Sequence, residues 1–168
     1  MRLQNLRRTL WLASVLGTFG LMTSSAYATT TTGNASATIL QAITLVENTP
    51  LAFGKVAVTA SGGSVVISTA GVVSGPGGYT FSGSPAAGNF TATGTASQAV
   101  TISFSSGDTL TGPGTAMPLG TFTTDAGGSP ALGAGGTLTF NVGATLTVNA
   151  SQTGGSYTGT YSVSVDYT

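Results

Sequence analysis

The chain has 168 residues, of which 5% are charged and 26 are glycine, and it contains neither histidine nor cysteine. It therefore lacks the usual general base, the thiolate nucleophile and the side chains that most often bind zinc or copper. The four acidic residues lie far apart in sequence, so we expect a non-enzymatic protein without catalytic, metal-binding or cofactor-binding residues.

The first residues have the three parts of a secretory signal peptide. Three arginines within the first eight residues precede an apolar segment over 10–22, and Ala26 and Ala28 form a small-x-small cleavage site. The apolar segment is shorter than the roughly 20 residues that a membrane-spanning helix needs. We predict that residues 1–28 are removed, and that the protein is exported to the periplasm and then to the cell surface or the medium.

The predicted cleavage changes the charge of the chain. Lys55 is the only basic residue after Ala28, and it is outnumbered by the four acids. Binding of nucleic acid requires clustered lysine or arginine, so we expect no nucleic-acid partner. We also expect no integral membrane segment in the mature chain.

After Ala28, short runs of β-branched and aromatic residues alternate with glycine, proline and serine, without a sustained 3.6-residue apolar period. Gly/Pro-rich segments at 75–78, 112–114 and 127–130 are predicted turns. Many short strands without helices predict an all-β fold, an Ig-like antiparallel β-sandwich. The predicted strands are 38–47, 51–59, 64–69, 79–82, 89–95, 98–104, 116–123, 136–142, 144–149 and 156–167.

Large apolar side chains alternate with polar ones along the last predicted strand. Threonine, serine and Asp166 occupy the polar face. This alternation is typical of a half-buried strand. Such a strand is either the last part of a core or a surface that binds another protein. The apolar face consists of Tyr157, Tyr161, Val163, Val165 and Tyr167.

With Gly155 fourteenth from the end and Tyr167 penultimate, this pattern resembles the C-terminal motif of chaperone–usher pilus subunits. Three further segments are more specifically similar to the bacterial family DUF4402. They are LAFGKV at 51–56, NFTATG at 89–94 and the long segment at 137–167. The resemblance covers nearly all of the mature chain and implies an adhesin-type sandwich.

The resemblance also implies assembly by donor-strand complementation, in which the N-terminal extension of one subunit completes the sandwich of the next. A periplasmic pilus chaperone and an usher would be partners, and the chain would polymerise with copies of itself. The donor strand would lie within Thr29–Leu40. The edge of the groove would be formed by Gly155, Tyr157, Tyr161, Val163, Val165, Tyr167 and the carboxylate of Thr168. One face of the donor would carry Gly33, Ala35, Ala37 and Ile39.

These interpretations divide the chain into a signal peptide at 1–28, an extension at 29–40 and one sandwich domain at 41–168. The expected function is a structural subunit of a fimbria-like surface fibre with a role in adhesion. Two alternatives stay open. If 38–47 is an ordinary first strand, the protein is a self-contained secreted sandwich that binds a carbohydrate or another surface ligand. Low charge and high glycine and threonine content also suit a self-assembling cross-β protein.

Overall fold

The computed structural model describes residues 27–168, so the predicted signal segment falls almost wholly outside the described residues. The chain divides into two units between Ala37 and Thr38. In the first unit, residues 27–37 have no helix or strand, and their side chains are exposed. The second unit, Thr38–Thr168, contains the strands.

Eleven strands are found within residues 27–168, and every paired set is antiparallel. The all-β sandwich predicted from the sequence is thereby confirmed. The strands are β1 (Thr44–Thr49), β2 (Lys55–Ala57), β3 (Gly63–Ile67), β4 (Val73–Ser74), β5 (Thr80–Ser82), β6 (Gly88–Thr93), β7 (Val100–Phe104), β8 (Asp108–Leu110), β9 (Met117–Thr124), β10 (Thr137–Val148) and β11 (Val163–Tyr167).

The long strand β10 organises the largest sheet. Its residues 137–142 pair with β6, its residues 144–148 pair with β3, and residues 142–146 also pair with β9. The sheet extends from β6 to β1, from β3 to β4 and from β9 to β8. Two further sheets have two strands each, β11 with β7 and β2 with β5.

The first core lies between the β7–β11 pair and the β6–β10 part of the large sheet. It contains Phe90, Phe140, Val100 and Val165, which come from β6, β10, β7 and β11 in turn. The Phe90 and Phe140 rings stack with centroids 5.8 Å apart. Because inward-facing residues alternate with polar ones along each strand, two sheets can bury their apolar faces against each other.

The second core lies around β3, β9 and the second half of β10. Val65, Met117, Leu146 and Val148 are buried there together with Tyr79. Partly buried side chains of the β2 and β5 region pack against it. This core forms the floor of the candidate site described below.

One error in the predicted strands concerns Gly143. We predicted two strands that end and begin at this glycine, whereas β10 runs through it without interruption. A Cβ atom at Gly143 would lie 2.5 Å from the carbonyl oxygen of Ile67 in β3. The glycine therefore permits close approach of a neighbouring strand and does not form a turn.

Other strand boundaries also differ from the prediction. The first strand begins at Thr44 and not at residue 38, and the second shrinks to Lys55–Ala57. Two strands, β4 and β8, are not predicted from the sequence. Both are too short, at two and three residues, to show an alternating pattern.

Candidate functional site

The final strand has the two faces that its sequence predicts. Val165 is buried in the first core, and Val163 and Tyr167 are partly buried against it. Ser164 and Asp166, between them, are exposed. In β11 the alternation therefore separates a core face from a solvent face.

The predicted strand at 156–167 is too long, because only Val163–Tyr167 forms a strand. Gly155, Tyr157 and Tyr161 lie in irregular chain before it. Thr158 forms an isolated bridge with Thr111, and a Cβ atom at Gly159 would collide with the carbonyl oxygen of Thr109. This close approach departs from regular strand geometry. The alternation of tyrosines alone does not reveal the departure.

The hydroxyl of Tyr167 connects the end of β11 to the chain that precedes β1. It donates a hydrogen bond to the carbonyl oxygen of Gln41 at 2.7 Å and accepts one from the backbone N–H of Thr95, also at 2.7 Å. Thr168, the next residue, donates its backbone N–H to the carbonyl oxygen of Ala99. These bonds fix the C-terminal end of β11 on the domain.

The hydroxyl of Tyr157 forms two hydrogen bonds with backbone groups. It donates to the carbonyl oxygen of Thr153 at 2.7 Å and accepts from the backbone N–H of Gly114 at 2.9 Å. A Cβ atom at Gly112 would lie 2.7 Å from the Tyr157 ring. The ring is thus held against the β8–β9 turn, where the sequence had predicted a turn at 112–114.

Tyr161 is partly buried and packs against the first core. Its ring stacks on Phe122 with centroids 4.9 Å apart and meets Phe90 edge-on at 6.3 Å. The hydroxyl is buried and has no hydrogen-bond partner within residues 27–168. Burial, and secondly the nearby carboxylate of Glu47, raise the pKa of Tyr161 from 10.0 to about 12.

A cleft of about 730 Å³, lined by both apolar and polar residues, opens beside Tyr161. One wall is Leu51–Val58, which follows β1, and the other is Gln152–Tyr161, which precedes β11. Of the predicted site residues, Gly155, Tyr157 and Tyr161 line it, while Val163, Val165, Tyr167 and Thr168 do not. The floor consists of Leu110, Met117, Leu119, Leu146 and Val148.

The two strands that continue these walls are both edge strands. β11 pairs only with β7, and β1 pairs only with β6, among the strands of residues 27–168. Each therefore presents one row of backbone N–H and C=O groups that no strand pairs. The cleft thus lies between two chain segments, one that follows the edge strand β1 and one that precedes the edge strand β11.

The candidate donor segment is exposed except for Leu40, which is partly buried. Residues 29–39 have no helix or strand, and the side chain of Ile39 is 88% exposed. Gly33, Ala35 and Ala37, which share the predicted face with Ile39, are exposed as well.

Two parts of this region are not predicted from the sequence, the wall at 51–58 and the acidic residue Glu47. The sequence predicts a strand at 51–59, and LAFGKV carries part of the family resemblance, but neither observation places this segment at a cleft. Glu47 lies opposite Phe90 in the pairing of β1 with β6. Glu47 is an acidic residue at a position where the alternation of the predicted strand would place an apolar one, and this is the signal that could identify it.

Neither a cluster of metal ligands nor a membrane-spanning helix is found in the part of the chain that the structure describes. Within residues 27–168 no three side chains of the metal-ligating types His, Cys, Asp and Glu come together. In the same range, no helix is long and apolar enough to cross a membrane.

A family model described as "Domain of unknown function (DUF4402)" matches residues 43–167. The chain belongs to the DUF4402 family. No curated protein and no solved structure matched the chain. The DUF4402 match confirms the resemblance noted from the sequence, and it includes both edge strands and every residue that lines the cleft. It begins after the candidate donor segment.

Proposed function

We propose that this DUF4402 protein is an exported, non-enzymatic subunit of a fimbria-like surface fibre with a role in adhesion. Copies are joined by donor-strand complementation. The segment Thr29–Leu40 of one copy lies in the cleft of the next and pairs with the free edges of β1 and β11.

The observation that carries this proposal is a cleft whose two walls adjoin in sequence the edge strands β1 and β11. Its floor is apolar, so the alternating side chains of an added strand can bury their surface there. The free edges of β1 and β11, which the cleft walls adjoin in sequence, offer backbone hydrogen bonds to the same strand. A cleft with both features fits an extended peptide better than a compact ligand.

The position of the chain near Gln41 supports a head-to-tail arrangement. The Gln41 carbonyl bonds to Tyr167, at the C-terminal end of β11, whereas the cleft is lined by Tyr161 and the residues before it. The sandwich domain therefore begins beside the C-terminal end of β11. It accepts the donor strand toward the N-terminal end of β11, where the cleft lies. A contact between two different surfaces repeats without closing, and so produces a fibre.

The length of the extension also fits. Twelve extended residues, Thr29–Leu40, span about 40 Å. Even if it were fully extended, the segment from Tyr157 to Tyr167 would cover only about 33 Å. One extension can thus follow the whole segment.

A periplasmic chaperone and an usher complete the proposal. A cleft with an apolar floor, adjoined by edge strands, is prone to unwanted strand pairing, so a chaperone that fills it during export would keep the subunit soluble. An usher would then exchange the chaperone for the extension of the next subunit.

Deletion of Thr29–Leu40 tests the proposal. The shortened protein should fold, because the extension contributes little to its own domain, but it should form no fibres in electron microscopy. A peptide of residues 29–40 added to it should raise the melting temperature with peptide concentration, as expected for a ligand of the folded state. The same peptide with Ile39→Asp should not, because it would bury a carboxylate without a partner.

Two results would contradict the proposal. One is a deletion variant that unfolds and is not rescued by the peptide. The other is a wild-type protein that remains a stable monomer at high concentration without any chaperone. Either result would favour the self-contained sandwich.

A further inference from the structure

Glu47 carries a negative charge on the core-facing side of β1. It lies opposite Phe90 in the β1–β6 pairing, and partners in an antiparallel pair share a face. Phe90 is buried in the first core, and Leu45, on the same side of β1, packs against that core. The Glu47 side chain is nevertheless exposed, so solvent reaches the core-facing side of β1 at this residue.

Glu47 precedes Leu51, the first residue of one cleft wall, by four positions, and does not itself line the cleft. Its carboxylate is close enough to Tyr161, which lines the cleft, to contribute to the raised pKa of that tyrosine. β1 has a free edge at Glu47. A strand added along this edge would therefore place one of its own side chains beside the Glu47 carboxylate.

The charges of the chain distinguish the strands that could be added. Like charges on neighbouring strands are destabilising, and an inward-pointing charge on an edge strand suppresses unwanted pairing. The other acids all belong to the sandwich domain: Asp108 lies in β8, Asp166 in β11, and Asp125 follows β9. In contrast, Thr29–Leu40 contains no charged residue.

We propose that Glu47 determines which strand the cleft accepts and in which register it is held. This inference rests on the proposed function, and the occupant is the segment Thr29–Leu40 of a second copy. Glu47 rejects a strand with an acidic residue at the facing position. It thereby excludes the acidic edge strands β1 and β11 of other copies and admits the uncharged extension.

Labelled peptides of residues 29–40 test this inference by fluorescence anisotropy, with the full-length exported protein held below the concentration at which it assembles. Gly33, Ala35 and Ala37 are replaced one at a time by Asp or by Lys. At the position that faces Glu47, the Asp peptide should bind wild-type protein at least about tenfold more weakly than the Lys peptide, or about 1.4 kcal/mol. Glu47→Gln should remove this difference, and Glu47→Lys should reverse it.

Asp166→Asn provides the matched control. Asp166 is an exposed carboxylate on the outward side of the other edge strand, so this variant should rank the peptides as wild-type protein does. Circular dichroism of each variant establishes that the fold is retained, which we expect because both side chains are exposed.

The outcomes separate this inference from the proposed function. If the unmodified peptide binds, but wild type, Glu47→Gln and Glu47→Lys rank the charged peptides alike, Glu47 has no selective role and the proposed function stands. If no peptide binds to any of the folded proteins, the inference and the proposed function are both wrong.

Discussion

The hydroxyl of Tyr167 donates a hydrogen bond to the carbonyl oxygen of Gln41 at 2.7 Å, although the two residues are 126 positions apart. The same hydroxyl accepts from the Thr95 N–H. This contact joins the final strand to the segment that leads into β1. Gln41, near the start of the sandwich domain, therefore lies beside the C-terminal end of β11.

Removal of this hydroxyl should destabilise the domain. Tyr167→Phe keeps the ring in the first core but leaves the Thr95 N–H without its acceptor, at a cost of about 1–2 kcal/mol. Urea unfolding measures the change. A loss too small to detect would mean that water replaces the hydroxyl at no cost.

In contrast, Tyr161→Phe should leave the stability of the domain unchanged or raise it. The Tyr161 hydroxyl is buried without a partner within the described residues, so Tyr161→Phe removes an unsatisfied polar group and should be neutral or stabilising by about 1 kcal/mol. The two variants are matched controls for each other in the same unfolding assay. Clear destabilisation would reveal a partner, such as a bound water, for Tyr161.

Stability should also fall at high pH through Tyr161. Its pKa is about 12 in the folded protein and 10.0 in the unfolded chain. The unfolded state therefore loses the proton first, and stability from this group is full below pH 10 and declines from pH 10 to about 12. Tyr161→Phe should decline less over this range, as followed by circular dichroism, and parallel curves would contradict the assigned pKa.

The two faces of β11 should differ in sensitivity. Val165→Ala removes two methyl groups from the first core and should cost about 2 kcal/mol. Ser164→Ala, on the exposed face, should change stability by less than about 0.5 kcal/mol. Equal costs in thermal or urea unfolding would show that β11 is not buried on one side.

Gly143 should resist substitution. In Gly143→Ala the new Cβ would lie 2.5 Å from the Ile67 carbonyl oxygen, so β10 or β3 must shift, and we expect a loss of more than about 2 kcal/mol. Gly120 in β9 is the control, because a Cβ there has no atom within 4 Å. Gly120→Ala should be neutral or slightly stabilising, and similar losses at both sites would refute the steric explanation.

Much of the fold could be predicted because it depends on local alternation. The faces of β11 follow from Val163, Val165 and Tyr167, whose spacing has the period of a strand. The turn at 112–114 follows from its glycine and proline content. Local sequence could not give the role of Gly143, because the atom that requires a glycine there belongs to Ile67 in another strand.

The candidate site was predicted only in part for the same reason. Tyr157 and Tyr161 were assigned to one side of a groove, and both line the cleft. The opposite wall, Leu51–Val58, became apparent only when folding placed it across from Tyr157. Glu47 is a hydrophilic residue in an apolar position. The role that we propose for it depends on the free edge of β1, which a sequence does not show.

The pairing pattern of β10 has a consequence for the speed of folding. β10 joins β3, β6 and β9, and the first core also needs β11 to come back to β7, some sixty residues earlier. Sandwiches with such distant contacts fold in the range of milliseconds to seconds, because long loops must close before their contacts stabilise the chain. We therefore expect folding molecules to spend this time with both core surfaces open, when collision with another copy leads to aggregation. This is the stage at which the chaperone that we propose would protect the chain.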